Sequence, residues 1–135
     1  MKKLLVFIFA FTLFSCSNSD DGNTFLPNVP VDETVYLNTH AELQIAGGST
    51  TVPGGIKGII VYNYDGNQFL AWEAACPHMT PSSCSKMTVQ GVMMVCPCDD
   101  SKFSILDGSP QSGTQYSARQ YRVVKQGSVL YITNF

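Results

Sequence analysis

Charge is scarce in this sequence. Only 13% of its 135 residues are Asp, Glu, Lys or Arg, about half the share usual in a soluble domain. Lys and Arg form no cluster, which argues against nucleic-acid binding through a basic patch. Histidine is confined to His40 and His78. After residue 22 no segment sustains an apolar repeat at helical spacing. There is no phosphate-binding loop and no nucleophile–base pair, and 135 residues leave no room for a second, larger catalytic domain. The chain is 44% apolar, enough for one packed core and too much for wholesale disorder.

The N-terminus reads as an address. Lys2-Lys3 is a basic start, and Leu4 to Phe14 is apolar apart from Thr12. That run is too short to span a bilayer as a helix and suits a signal-peptide core. It ends in Leu13-Phe14-Ser15-Cys16, which resembles a bacterial lipobox, with the Cys16 thiol as the lipid acceptor. Residues 1–15 are therefore expected to be a lipoprotein signal peptide. Residues 16–30 are expected to be a flexible, lipid-anchored tether, and residues 31–135 the folded domain. Asp20-Asp21 just after the anchor resembles the surface-export signal of Bacteroidetes lipoproteins. The expected location is the cell envelope, at the outer membrane, on either its periplasmic or its surface face. Without Lys2 and Lys3, six basic residues face ten acidic ones. Outside the cytoplasm disulfides are permitted.

The body reads as short antiparallel strands. The spacing predicts strands over 31–37, 58–64, 68–73, 87–89, 92–95, 102–106, 121–125 and 128–133. Turns are expected at Asp65-Gly66-Asn67, Gln90-Gly91, Asp107-Gly108 and Gln126-Gly127. Gly47-Gly48 and Pro53-Gly54-Gly55 mark loops between residues 46 and 57. An all-β, small antiparallel sandwich or barrel follows. Phe69 and Trp72 are expected in its core. Met79, Met87, Met93 and Met94 read as packing rather than a copper site, since Met93 and Met94 point to opposite faces of a strand. His40 is expected at the surface.

Four of the five cysteines, Cys76, Cys84, Cys96 and Cys98, fall within 23 residues. Cys76-Pro77-His78 and Cys96-Pro97-Cys98-Asp99-Asp100-Ser101-Lys102-Phe103 each follow a predicted strand. Seventeen residues containing a hairpin separate His78 from Cys96. Two such loops at adjacent hairpin tips can close over one metal centre. The pattern resembles the Rieske [2Fe–2S] domain family, whose signature is Cys-x-His followed by Cys-x-x-His, over residues 55–133. The resemblance implies a rubredoxin-like cluster-binding subdomain on the β domain and one-electron transfer through a [2Fe–2S] cluster. It implies Cys76 and Cys96 on one iron and His78 and Asp99 on the other. It also implies a Cys84–Cys98 disulfide linking the loops, and Ser101 and Phe103 as residues tuning the cluster. A redox partner protein of unspecified identity is implied too, and the lipid makes the membrane a further partner.

The departures are specific. Asp99 stands where the family has its second His, Asp100 where Gly is usual, and Thr114 where Pro is usual. An anionic oxygen in place of imidazole would lower the potential. Asp100 would have to adopt a backbone conformation that favours glycine. Other outcomes compatible with the residues are Cys98 recruited as a ligand, a cluster-free binding or structural lipoprotein stapled by Cys84–Cys98, a zinc site of Cys76, His78, Cys96 and Cys98, and a domain with both Cys76–Cys96 and Cys84–Cys98 bridged.

Overall fold

The computed structural model describes residues 25–135. The expected signal peptide, the Cys16 anchor and the start of the tether lie outside them. Among the described residues there are ten strands and two short 3₁₀ turns, and no helix is long and apolar enough to cross a membrane. The strands are β1 (Asp32–Tyr36), β2 (Ser49–Val52), β3 (Ile59–Asn63), β4 (Phe69–Glu73), β5 (Thr88–Gln90), β6 (Met93–Val95), β7 (Lys102–Ser104), β8 (Pro110–Ser112), β9 (Gln120–Gln126) and β10 (Val129–Thr133). Six form one sheet in the order β1-β10-β9-β4-β3-β2, and four form a second in the order β5-β6-β7-β8. Every pairing is antiparallel. The expected all-β antiparallel class is the one the chain adopts.

β3 explains why the domain has two cores. All five of its residues are buried. Ile59 and Val61 pack with Val35, Leu43, Phe69, Leu130 and Ile132. Ile60 and Tyr62, on the other face, pack with Trp72, Met87, Met94, Phe103 and Ile105. A strand covered on both faces reads as a continuous apolar run rather than an alternating one. Trp72 belongs to the second core, and its indole N–H donates to the Ile105 carbonyl at 2.9 Å. That bond ties the large sheet to the chain just beyond β7. Cys76 and Cys96 lie in the same second core.

The sequence reading misses two edge strands. β2 falls inside the glycine-flanked region read as loop, and its four residues are too few for a legible pattern. β8 opens on Pro110, which cannot donate to a ladder and is tolerated at an edge. The turns of the β5–β6 and β9–β10 hairpins fall at Gly91-Val92 and Gly127-Ser128, one residue later than expected, with each glycine at positive φ. Residues 26–30, expected as the end of the tether, are held on the domain. Leu26 is buried, Arg119 donates to the Leu26 and Pro27 carbonyls, and the Asn134 side chain bonds both Val29 and Val31.

At the end of β4 the side chain of Glu73 is fully buried. Its carboxylate accepts from the amides of Ile56 (2.8 Å), Lys57 (3.0 Å) and Ala75 (2.8 Å) and from the Tyr121 hydroxyl (2.6 Å). Gly55, at φ +59°, is required here, because a Cβ would lie 2.3 Å from Glu73 Oε2. Burial first, and then the neighbouring carboxylate, push the Tyr121 phenol well above its ordinary value of 10.0. The unfolded chain ionises Tyr121 near its ordinary value while the folded chain keeps the proton, so this group's contribution to stability declines as pH rises past that point. Tyr121→Phe removes a hydrogen bond to a charged acceptor and is expected to cost about 1.5–3 kcal/mol. Urea denaturation at neutral pH reads that loss, and the same series above pH 10 should show a shallower alkaline decline in the variant.

Candidate metal centre

Two loops build the site. The first leaves β4 through Ala74 and Ala75 and returns at Ser85–Met87. The Cys76 amide donates to the Ser85 carbonyl (2.8 Å), the Met87 amide to the Ala74 carbonyl (2.7 Å), and Ala75 pairs with Lys86. Its stem is thus a short ladder that sets Cys76 at the base and His78 beyond it. Ser82 and Ser85 brace the return. The Ser82 amide donates to Ser85 Oγ (2.7 Å), and Ser85 Oγ donates to the Ser82 carbonyl (3.0 Å).

The second loop connects β6 to β7. The Cys96 amide donates to the Ser101 carbonyl and the Asp100 amide to the Cys96 carbonyl, both at 2.9 Å. Among the described residues Asp100 is the one non-glycine at positive φ, +61°. This is the conformation expected where the family has glycine, and Asp tolerates it better than most residues. A third segment covers the site from the side. Gly113 lies so close to Ser101 that a Cβ there would come within 2.3 Å of Ser101 Oγ.

The loops meet at several points. Cys76 is bonded to Cys96, with Cα atoms 5.7 Å apart, and Cys84 to Cys98, with Cα atoms 5.1 Å apart. Cys76 and Cys96 are fully buried, whereas Cys84 is exposed. Ser82 Oγ lies 3.5 Å from Cys84 Sγ and 3.8 Å from Cys98 Sγ. His78 Nε2 lies 2.7 Å from Asp99 Oδ2 and 3.4 Å from Ser101 Oγ. The Phe103 ring sits 5.9 Å from that of His78. Donor atoms of His78, Cys96 and Asp99 all lie within 4.8 Å of one another. Desolvation raises the Asp99 carboxyl, but hydrogen bonds from His78 and from the Ser101 amide and hydroxyl together hold it below the ordinary carboxylate value.

All the residues singled out in the two motifs therefore come together, while His40 stands apart beside Glu42. Cys98 is paired with Cys84, the bridge that the family resemblance implies. Glu73 and Ser85 escaped the sequence reading. A glutamate closing an apolar strand, three residues before a Cys-x-His, was the available signal for the first. Nothing distinguishes Ser85 from its serine neighbours.

Access separates the two disulfides. The exposed Cys84–Cys98 bridge is expected to reduce and alkylate well before the buried Cys76–Cys96 bridge. Peptide mapping after graded phosphine reduction reads the order, and simultaneous labelling would contradict this geometry. Cys84→Ser, which opens a loop of sequence separation 14, should cost about 3 kcal/mol.

The model of the Rieske [2Fe-2S] domain family matches residues 33–127. No curated protein matches the sequence. Solved structures share the fold. The ferredoxin of carbazole 1,9a-dioxygenase from Nocardioides aromaticivorans IC177 is 19% identical, with 80% of this chain and 100% of that one covered at a TM-score of 0.54. The E. coli protein NirD is 15% identical, with 78% and 98% covered at 0.52. A chain from a complex of reduced oxygenase and oxidized ferredoxin in carbazole 1,9a-dioxygenase is 24% identical, with 73% and 87% covered at 0.52.

The family implies a [2Fe–2S] cluster, and the site can be tested against it. Two buried sulfurs, one from each loop, stand beside a nitrogen and an oxygen donor. His78 Nδ1 is buried with no hydrogen-bond partner, a state that costs about 1–3 kcal/mol unless something binds the atom. Disulfide sulfurs are not metal ligands, since thiolates are required. The donor set therefore fits the cluster in the form in which Cys76 and Cys96 are reduced. On the family match, the fold and this donor set, the chain belongs to the Rieske [2Fe-2S] domain family.

Proposed function

We propose that this protein is a one-electron carrier of the Rieske type, tethered at the cell envelope through a lipid on Cys16. The observation that supports it most is the convergence of the buried Cys76 and Cys96 sulfurs with His78, whose Nδ1 has no hydrogen-bond partner among the described residues. When bound, the cluster supplies a one-electron couple. Cys76 and Cys96 would hold it as thiolates, with His78 as the nitrogen donor and Asp99 beside it. Phe103 is fully buried on the inner side, and Gly113 packs against Ser101. Ser101, buried beneath the second loop, offers a hydroxyl that can donate into the site and tune it. Cys84–Cys98 keeps the loops registered while Cys76 and Cys96 change state.

The fold relatives suggest the kind of partner. The carbazole 1,9a-dioxygenase ferredoxin is seen in complex with its oxygenase. By analogy, this domain would meet a redox protein on the face where His78 and Asp99 reach the surface. The signal-like start and the lipobox-like Leu13-Phe14-Ser15-Cys16 support the outer membrane as its location.

The Cys76–Cys96 bond favours one other reading, a cluster-free binding or structural lipoprotein in which both bridges are permanent. Anaerobic purification separates the two. The carrier should be coloured and contain about two iron and two acid-labile sulfide per chain. A colourless, iron-free protein with Cys76 joined to Cys96, and no iron uptake after reduction, would establish the second reading instead. Cys16→Ala should release the domain into the soluble envelope fraction, and continued labelling of that variant by a fatty-acid analogue would contradict the anchor.

A further inference from the structure

His78 and Asp99 are arranged as donor and acceptor to each other rather than as two independent metal donors. Asp99 Oδ2 lies 2.7 Å from His78 Nε2. Asp99 Oδ1 accepts from the Ser101 amide at 3.1 Å, so both carboxylate oxygens are engaged within the protein. An ionised carboxylate only accepts hydrogen bonds, so the proton in the Asp99–His78 contact belongs to Nε2. In a neutral imidazole the other nitrogen is then bare. That nitrogen, Nδ1, is buried without a partner, in a side chain only 10% exposed. The Ser101 hydroxyl, 3.4 Å from Nε2, is the more distant of the two groups at that nitrogen. Asp100 at φ +61° turns the loop at the next residue, and the Ser101 amide then fixes the Asp99 carboxylate.

We propose that Asp99 is a positioning residue: it holds His78 as the Nε2–H tautomer and so presents Nδ1 as the donor atom of the centre. The proposal rests on the Rieske-type reading above and refines it. The chain then supplies three donors, Cys76, Cys96 and His78. A metal-binding histidine whose other ring nitrogen donates to a carboxylate is both oriented and made more basic. This arrangement assigns a use to an otherwise orphaned buried nitrogen and needs no rearrangement of the Asp99 contacts.

The test reads the tautomer and the iron separately. In the iron-free protein at pH 8.5, long-range ¹H–¹⁵N correlation of the His78 ring should show Nε2 protonated and Nδ1 bare. Asp99→Asn keeps an acceptor oxygen and should preserve that pattern, whereas Asp99→Ala should give a mixture of tautomers. After reduction and anaerobic reconstitution, Asp99→Asn should hold iron nearly as well as the wild type. Asp99→Ala should lose about 10–100-fold in affinity, the usual effect of removing such a partner. An Nδ1–H tautomer in the wild type, or an Asp99→Asn variant as poor in iron as Asp99→Ala, would overturn the proposal. A wild type that takes up no iron after reduction sinks the electron-carrier reading, and the tautomer result alone then decides the role of Asp99.

Discussion

The Glu73 carboxylate, sealed at the end of β4, accepts four hydrogen bonds from three separate stretches of chain. The Ile56 and Lys57 amides belong to the loop before β3, the Ala75 amide to the first residues of the site, and the Tyr121 hydroxyl to β9. A buried carboxylate is tolerable only when its lone pairs are filled, and here the filling groups are the ones that must be fixed. Cys76 follows one residue after Ala75. The direction in which the first loop leaves the sheet is therefore set by a charge that cannot be left unsatisfied. Strand pairing continues the constraint, because β4 lies between β3 and β9, and the loop leading into β3 and β9 itself both reach the same carboxylate.

From that fixed stem the two loops are held by contacts that depend on redox state and by contacts that do not. The Cys76–Ser85 and Cys96–Ser101 backbone bonds, the His78–Asp99 contact and the packing of Phe103 involve no sulfur. The Cys76–Cys96 bond does, and its two sulfurs are the ones a metal centre requires as thiolates. The site consequently has two mutually exclusive occupants, a disulfide and a metal centre. The fold that positions one also positions the other, because both need the two sulfurs side by side in a dry core. The exposed Cys84–Cys98 bridge sits outside this competition and keeps the loop tips together in either case.

Much of the site was legible because its chemistry is written in residue types at fixed spacing. Cys76, His78, Cys96 and Asp99 needed only two short motifs separated by a hairpin, and the strand pattern supplied the hairpin. The fold class was legible for a similar reason: residues 59–62 and 69–72 are apolar, β-branched or aromatic, and joined by a turn at Asp65-Gly66. The rest was not, for physical reasons. β2 and β8 are edge strands of three or four residues, stabilised by neighbours rather than by their own pattern. The Glu73 cluster draws its partners from positions 17 residues upstream and 48 downstream, a pairing with no local trace. The contact between Asp99 and the far nitrogen of His78 was equally invisible, since a motif names a ligand set and not the orientation of a ring.

The central claim is that these two loops form a metal centre to which His78 is bound through nitrogen. Pulsed electron spin resonance on the reconstituted, dithionite-reduced protein tests it most directly. The account predicts coupling from one directly bound imidazole nitrogen, absent in His78→Ala. A paramagnetic centre with no bound nitrogen, or one whose nitrogen coupling persists in His78→Ala, would contradict it.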